Sequence, residues 1–126
     1  MAWADFPAMA DAADILRRSM ERGRLGHAYI LNGVDLGALE AFGLNLAKVL
    51  NCMEPPPLGG GYDCCDECMS CRKIDSGIHP DVMVVRPESK LRQIRISQII
   101  RRNISPPRVL HDLVYMTATE SEWKVA

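Results

Sequence analysis

His27-Ala28-Tyr29-Ile30-Leu31-Asn32-Gly33-Val34-Asp35-Leu36-Gly37-Ala38-Leu39-Glu40 is the stretch on which the fold turns. Its first six residues form a short apolar run without alternation, the pattern of a strand buried on both faces of a parallel sheet. Asn32-Gly33 is a turn signal. From Asp35 onward the spacing changes. Leu36, Leu39, Gly43, Leu46 and Leu50 make one stripe, widened by Phe42 and Val49, so Asp35–Asn51 is expected to be a helix capped by Asp35. Strand, glycine turn and helix open a βα unit.

Such a junction is also where a phosphate-binding loop, G-x4-G-K-[ST], would sit. Counted from Gly33, the second glycine falls on Ala38, the lysine on Leu39 and the hydroxyl residue on Glu40. Leu39 offers no charge to a phosphate. Glu40 and Asp35 bring carboxylates, which suit a helix N-terminus and repel a triphosphate. Two readings stay open: a degenerate loop that does not bind ATP, or a plain turn that never held a phosphate.

Working outward toward the N-terminus, Met9, Ala12, Ala13, Leu16 and Met20 follow helical spacing, so Ala8–Arg22 is expected to be a helix stopped at Gly23. On the other side, Met53–Asp63 reads as a loop, because Pro55-Pro56-Pro57 and Gly59-Gly60-Gly61 favour neither helix nor strand. Arg72–Ser76 is expected to make one or two helical turns and Asp81–Val85 a second buried strand. Ser97–Asn103 is expected to be a helix with Ile96, Ile99 and Ile100 inward and Arg95, Arg101 and Arg102 outward, broken by Pro106-Pro107. Leu110–Tyr115 suits strand or helix, and Trp123–Ala126 reads as the opening of a strand. The order implies an α/β domain with a parallel sheet. So few strands, with the last cut short, give the expectation of an N-terminal fragment.

Composition narrows the functional classes. A chain of 126 residues is about one domain. With 15 Lys+Arg against 16 Asp+Glu, bulk positive charge does not hold it to nucleic acid. Aromatics at 6% argue against a base-stacking platform. Arg92, Arg95, Arg101 and Arg102 offer phosphate contacts, but a solvated face is the simpler reading. No apolar run reaches about 18 residues, and Met1–Pro7 lacks the pattern of a secretory signal, so a cytoplasmic location without a membrane partner is expected.

Five cysteines are present, and four fall between Cys64 and Cys71. Cys65-x2-Cys68-x2-Cys71 puts three thiols on one tight turn, and Cys52 can return as the fourth. Four thiolates suit zinc, and a closed four-sulfur shell leaves no position for a substrate water, so the metal would be structural. Cys64 is the spare, or it replaces Cys65. An iron–sulfur run fails at Asp75, a thioredoxin-like pair lacks its preceding strand, and disulfides leave one cysteine over.

Several stretches together resemble one family. Arg22-Gly23-Arg24-Leu25-Gly26-His27-Ala28-Tyr29-Ile30-Leu31 resembles the RxxHAYLF lead-in to the P-loop strand of bacterial DNA polymerase III clamp-loader subunits. Leu46-Ala47-Lys48-Val49-Leu50-Asn51-Cys52 resembles their LAKALNC, which ends on the first zinc ligand. Cys65-Asp66-Glu67-Cys68-Met69-Ser70-Cys71-Arg72 resembles CGxCxxCR, and His79-Pro80-Asp81-Val82 resembles the HPD that enters the next strand. Gamma/tau motor subunits keep an intact Walker A loop, whereas delta-prime subunits usually have a degenerate one. Ala38, Leu39 and Glu40, with the stretch 86–99, look like the delta-prime version. Ser105–Glu122 departs from the family's pattern.

The resemblance implies an α/β fold: a partial AAA+ P-loop NTPase-like domain with a parallel sheet and an inserted zinc-binding knuckle at about 52–72. It implies that residues 1–126 are the N-terminal part of the module, without its Walker B strand, lid and collar domain. It also implies a role in DNA replication as the non-ATPase stator of the clamp loader, within the DNA polymerase III holoenzyme. No catalytic residue and no ATP are expected, and Zn2+ is expected on Cys52, Cys65, Cys68 and Cys71. The implied partners are the gamma/tau and delta subunits, with the sliding clamp and primed DNA reached through the complex. The alternatives are an ATP-binding gamma/tau-like motor and a stand-alone zinc-binding interaction module.

Overall fold

In the computed structural model, which describes residues 3–57, 62–88, 90–102, 108–120 and 123–126, the N-terminal apolar spacing produces a helix, α1 (Ala10–Glu21). Two 3-10 turns, Trp3–Asp5 and Pro7–Met9, lead into it. Gly23 follows α1 with a φ of 63°, a left-handed conformation that glycine adopts without strain, and the Arg24 N–H reaches back to the Ser19 carbonyl at 2.8 Å. The second helix, α2 (Leu36–Asn51), begins at Asp35, whose carboxylate accepts the Ala38 N–H. Both helices lie where their spacing placed them.

The chain folds as two compact units, Met1–Asp75 and Ser76–Ala126. The core of the first gathers Phe6, Ala13, Leu16 and Phe42. Phe42 is 0% exposed, with the Phe6 ring edge-on to it at 5.5 Å and the Trp3 ring at 5.1 Å. Full burial of such a side chain contributes about 1.5–3 kcal/mol. A second apolar cluster joins Val49 to Cys64, Cys68 and Cys71. The third helix, α3 (Met69–Asp75), packs against α2 and starts three residues earlier than the spacing indicated, inside the cysteine run.

The parallel sheet is not seen among the described residues, which contain no strand. The expected strand at 27–32 lies outside any sheet, with Ile30 96% exposed and Val34 beyond it fully so. A run apolar on both faces needs a neighbour on each side. Here Leu31 alone reaches the core, and no described segment pairs with the run. His27, at the start of the run, is exposed. The stripe expected on α2 is also displaced. Leu36 is 69% exposed, and the buried residues are Phe42, Asn45, Ala47, Lys48, Val49 and Asn51. The helix buries the face that meets α1 and the cysteine loop, not one that a sheet would cover.

In the second unit, Val82 and Val125 form an isolated parallel bridge. The Met83 N–H donates to the Val125 carbonyl and the Val125 N–H to the Asp81 carbonyl, both at 2.8 Å. Asp81 is buried, and its two carboxylate oxygens accept the N–H groups of Thr119 at 2.6 Å and Glu120 at 2.8 Å. His79 is a turn residue that is also buried, its Nδ1 accepting the Asp81 N–H.

The helix expected over 97–103 is shorter, α4 (Ile96–Ile99), and Pro106-Pro107 lie outside the described residues, as do Gly59-Gly60-Gly61. Ile96 and Ile100 are exposed, and the buried residue is Gln98. Its side chain accepts the Arg95 N–H and donates to the Arg86 carbonyl. Leu110–Tyr115 resolves as a helix, α5, with Leu113 inward.

Candidate metal centre

Two helices and a loop deliver the cysteines. Cys52 is the C-cap of α2, Cys65 and Cys68 lie on the loop entering α3, and Cys71 sits in α3 itself. Their four Sγ atoms all lie within 4.8 Å of one another. A tetrahedron with metal–sulfur distances of about 2.3 Å places its sulfurs roughly 3.8 Å apart, so a metal ion would draw the four inward by about an ångström at most. The donor set and the spacing fit zinc.

The main chain also treats these sulfurs as acceptors. The Cys65 N–H donates to Cys52 Sγ at 3.4 Å, the Cys68 N–H to Cys65 Sγ at 3.2 Å and the Cys71 N–H to Cys68 Sγ at 3.4 Å. Donors aimed at sulfur favour thiolate over thiol. Burial pushes the Cys52 thiol up against the pull of the Cys65 and Glu54 N–H groups. Burial pushes Cys71 up as well. At Cys68 burial acts the same way but is outweighed by the N–H groups of Cys71 and Met53, and the thiol comes down to about 7.

Cys64 stands beside this group and not in it. Its Sγ donates to Asn45 Oδ1 at 3.2 Å and lies 3.5 Å from Asp66 Oδ1. Burial, then the Asp66 charge, push this thiol up to about 12, so it stays protonated as a packing residue. The Nδ2 of Asn45 is buried without a hydrogen-bond partner.

Charged residues that the spacing did not single out hold the loop in place. Lys48, one turn before Cys52, is 2% exposed. Its Nζ donates to both carboxylate oxygens of Asp75, at 2.9 and 3.0 Å, and pairs with Asp66 in the cysteine loop. Burial works to lower Lys48, but these carboxylates outweigh it and raise it. Burial works to raise Asp66, and Lys48 outweighs it and lowers it. A lysine between Ala47 and Val49 on an otherwise apolar turn is the signal that could have marked it. Trp3 closes the other side, its Nε1–H donating to the Tyr62 carbonyl at 2.9 Å and its N–H to Asp63 Oδ1 at 3.2 Å.

The start of α2 is built differently from a phosphate cradle. The Asp35 carboxylate occupies the Ala38 N–H at 3.1 Å, and the Asp35 carbonyl takes the Leu39 N–H. The Leu39 side chain folds back toward Gly33, where an added Cβ would meet Leu39 Cδ2 at 3.3 Å. Glu40 points away from the core and is exposed. The loop residues Gly33, Ala38, Leu39 and Glu40 thus surround a helix end capped from within.

A four-thiol knuckle carried between a self-capped helix and a short second helix defines a cysteine-knuckle domain, and comparison with known proteins places it. A family model described as DNA polymerase III, delta subunit matches residues 9–126, so the chain belongs to that family. The DNA polymerase III subunit delta' of Bacillus subtilis is 41% identical over 75 residues, covering 59% of this chain and 21% of that protein. The subunit of the same name from Pseudomonas aeruginosa is 33% identical over 78 residues, covering 62% and 23%. The DNA polymerase III subunit gamma of Buchnera aphidicola is 27% identical over 110 residues, covering 87% and 26%. The chain therefore spans about a fifth to a quarter of the length of these relatives. No solved structure gives a significant match. The resemblance to a delta-prime-type clamp-loader subunit is borne out, and with it an AAA+-like domain at the level of family. No helix among the described residues is long and apolar enough to cross a membrane.

Proposed function

We propose that this chain is part of a delta-prime-type subunit that serves DNA replication as the stator of the DNA polymerase III clamp loader. It holds a place among gamma/tau and delta subunits while they bind ATP and load the sliding clamp on primed DNA, and it acts in the cytoplasm. The observation that carries the reading is the filled start of α2. Leu39 lies against Gly33, and the Asp35 carboxylate takes the N–H that a phosphate would need. A triphosphate placed there would meet the carboxylates of Asp35 and Glu40, and residues 33–40 carry no lysine or arginine to offset them. Residues 1–126 form the N-terminal part of the AAA+ module, with Cys52, Cys65, Cys68 and Cys71 holding one structural Zn2+ that ties α2 to α3.

The relative named gamma gives the motor reading its support, since it matches most of this chain. Titration of a fluorescent ATP analogue, with zinc measured on the same sample, separates the two. The stator reading expects about one zinc per chain and no magnesium-dependent nucleotide binding. Micromolar, magnesium-dependent binding overturns it in favour of a motor. A co-purification experiment with gamma and delta subunits distinguishes the stator from a stand-alone zinc module, which would not assemble with them.

A further inference from the structure

Asp66 occupies an unusual backbone position in the knuckle. It follows Cys65, where the resembling pattern CGxCxxCR has glycine, and its φ is 61°. That left-handed conformation is natural for glycine and strained for most other residues, although Asp and Asn tolerate it better than the rest. Asp66 sits in the turn whose flanking amides meet the sulfurs, the Cys65 N–H donating to Cys52 Sγ and the Cys68 N–H to Cys65 Sγ. Its side chain meanwhile reaches Lys48, which is buried and also grips Asp75 in α3 with both carboxylate oxygens. One ammonium thus joins the end of α2, the cysteine loop and α3, the pieces of chain that carry all four thiols.

We propose that the Lys48–Asp66 ion pair, anchored by Asp75, is a positioning device for the metal. It holds the Cys65–Cys68 turn in the left-handed geometry in which the Cys68 N–H meets the Cys65 sulfur, so that the sulfurs are gathered before metal arrives. The inference rests on reading the four cysteines as a zinc site. Lys48 and Asp66 touch no metal in this scheme. They act through the backbone that aims the sulfurs, as residues around a metal's ligands do elsewhere, where their loss typically costs 10- to 100-fold in affinity.

The test is zinc affinity and release rate of the full chain, by chelator competition, for the parent and for Asp66→Asn, Asp66→Gly, Lys48→Met and Lys48→Arg. Asp66→Asn keeps a residue suited to the left-handed position and removes the charge from a side chain that is 37% exposed, so the fold is little disturbed. Asp66→Gly removes the backbone strain together with the carboxylate. The device predicts zinc binding weakened about tenfold or more in Asp66→Asn, Asp66→Gly and Lys48→Met, faster release, and recovery of most of the loss in Lys48→Arg. The cobalt(II) form of the weakened variants should show a broadened or shifted d–d absorption, because the sulfurs are less well placed.

Thermal melting separates positioning from general support. Removing one partner of an ion pair is costly when the other is left buried, but Asp66 and Asp75 are 37% and 54% exposed and keep their water, so Lys48→Met should lose zinc affinity without a matching loss of Tm in the metal-free chain. Parent-like affinity in both Asp66→Asn and Lys48→Met overturns the inference. Failure of the parent itself to bind zinc overturns the metal reading on which it stands.

Discussion

Two adjacent cysteines in this chain have opposite fates, and their neighbours decide it. Cys64 gives its proton to a hydrogen bond with Asn45 and is pushed up to about 12, whereas Cys65 faces the N–H of Cys68 and joins the group of four. Cys71→Ser is therefore expected to abolish stoichiometric zinc binding, and Cys64→Ser to leave about one zinc per chain, measured by metal analysis after dialysis. The pH dependence follows from the same sulfurs. Cys52 and Cys71 are raised by burial, so without metal they hold protons at neutral pH, and zinc must displace them. Zinc affinity should fall as pH falls, by about tenfold per pH unit for each proton displaced, as read by chelator competition across pH 6–8. The spacing of Cys65, Cys68 and Cys71 made three of the four thiols legible in the sequence, since ligands on one tight turn are a local property. The exclusion of Cys64 was not legible, because Asn45 lies nineteen residues away on another element.

At the scale of elements, α2 shows what periodicity can and cannot say. Its limits and its cap at Asp35 follow from local spacing and chemistry. Its buried face does not, because that face is set by what packs against it. Leu36 is exposed and Leu39 lies against Gly33, while Phe42 and Val49 meet α1 and the knuckle. Phe42→Ala should cost about 3–5 kcal/mol, read as a fall in the denaturant midpoint with Trp3 fluorescence as the probe, since the two rings touch. Leu36→Ala, at an exposed position, should change the midpoint little. The ion pair that joins α2 to α3 adds a pH signature. Asp66 is lowered, so its contribution to stability is complete above the ordinary carboxylate range and lost as pH falls through the depressed value. Lys48 is raised, so its contribution is complete below its ordinary value and lost as pH rises through the elevated one. A melting series should show a plateau between those limits, which in Asp66→Asn is lower and falls less steeply on the acid side.

Across the whole molecule, the part that sequence reading left least resolved is the sheet. A strand is an agreement between distant segments, and one such agreement is visible, the parallel bridge between Val82 and Val125. The run at 27–32 has the right composition for a strand, but composition supplies only one of the two partners a ladder needs. Asp81 is what holds the visible pairing in register. Its carboxylate fastens the Thr119 and Glu120 amides just ahead of the segment that carries Val125. Asp81→Asn keeps the shape but offers one acceptor where two amides donate, so one N–H is left facing an NH2 group and a loss of about 1.5–3 kcal/mol is expected within the second unit. Hydrogen exchange should register it first at the amides of Thr119, Glu120 and Val125.

The leucine lying against Gly33 bears on what it would take to make this helix end a phosphate site. A lysine placed at position 39 would arrive at a helix end whose Ala38 amide is already taken by Asp35, with a carboxylate next door at Glu40 and an alanine at the position of the motif's second glycine. The single substitution Leu39→Lys should therefore recover no nucleotide binding in an equilibrium titration, and even Ala38→Gly, Leu39→Lys and Glu40→Thr together leave the Asp35 cap to be displaced. The start of α2 is therefore several concerted substitutions away from a phosphate cradle, because Asp35 must release the Ala38 amide before a cation at position 39 could act there.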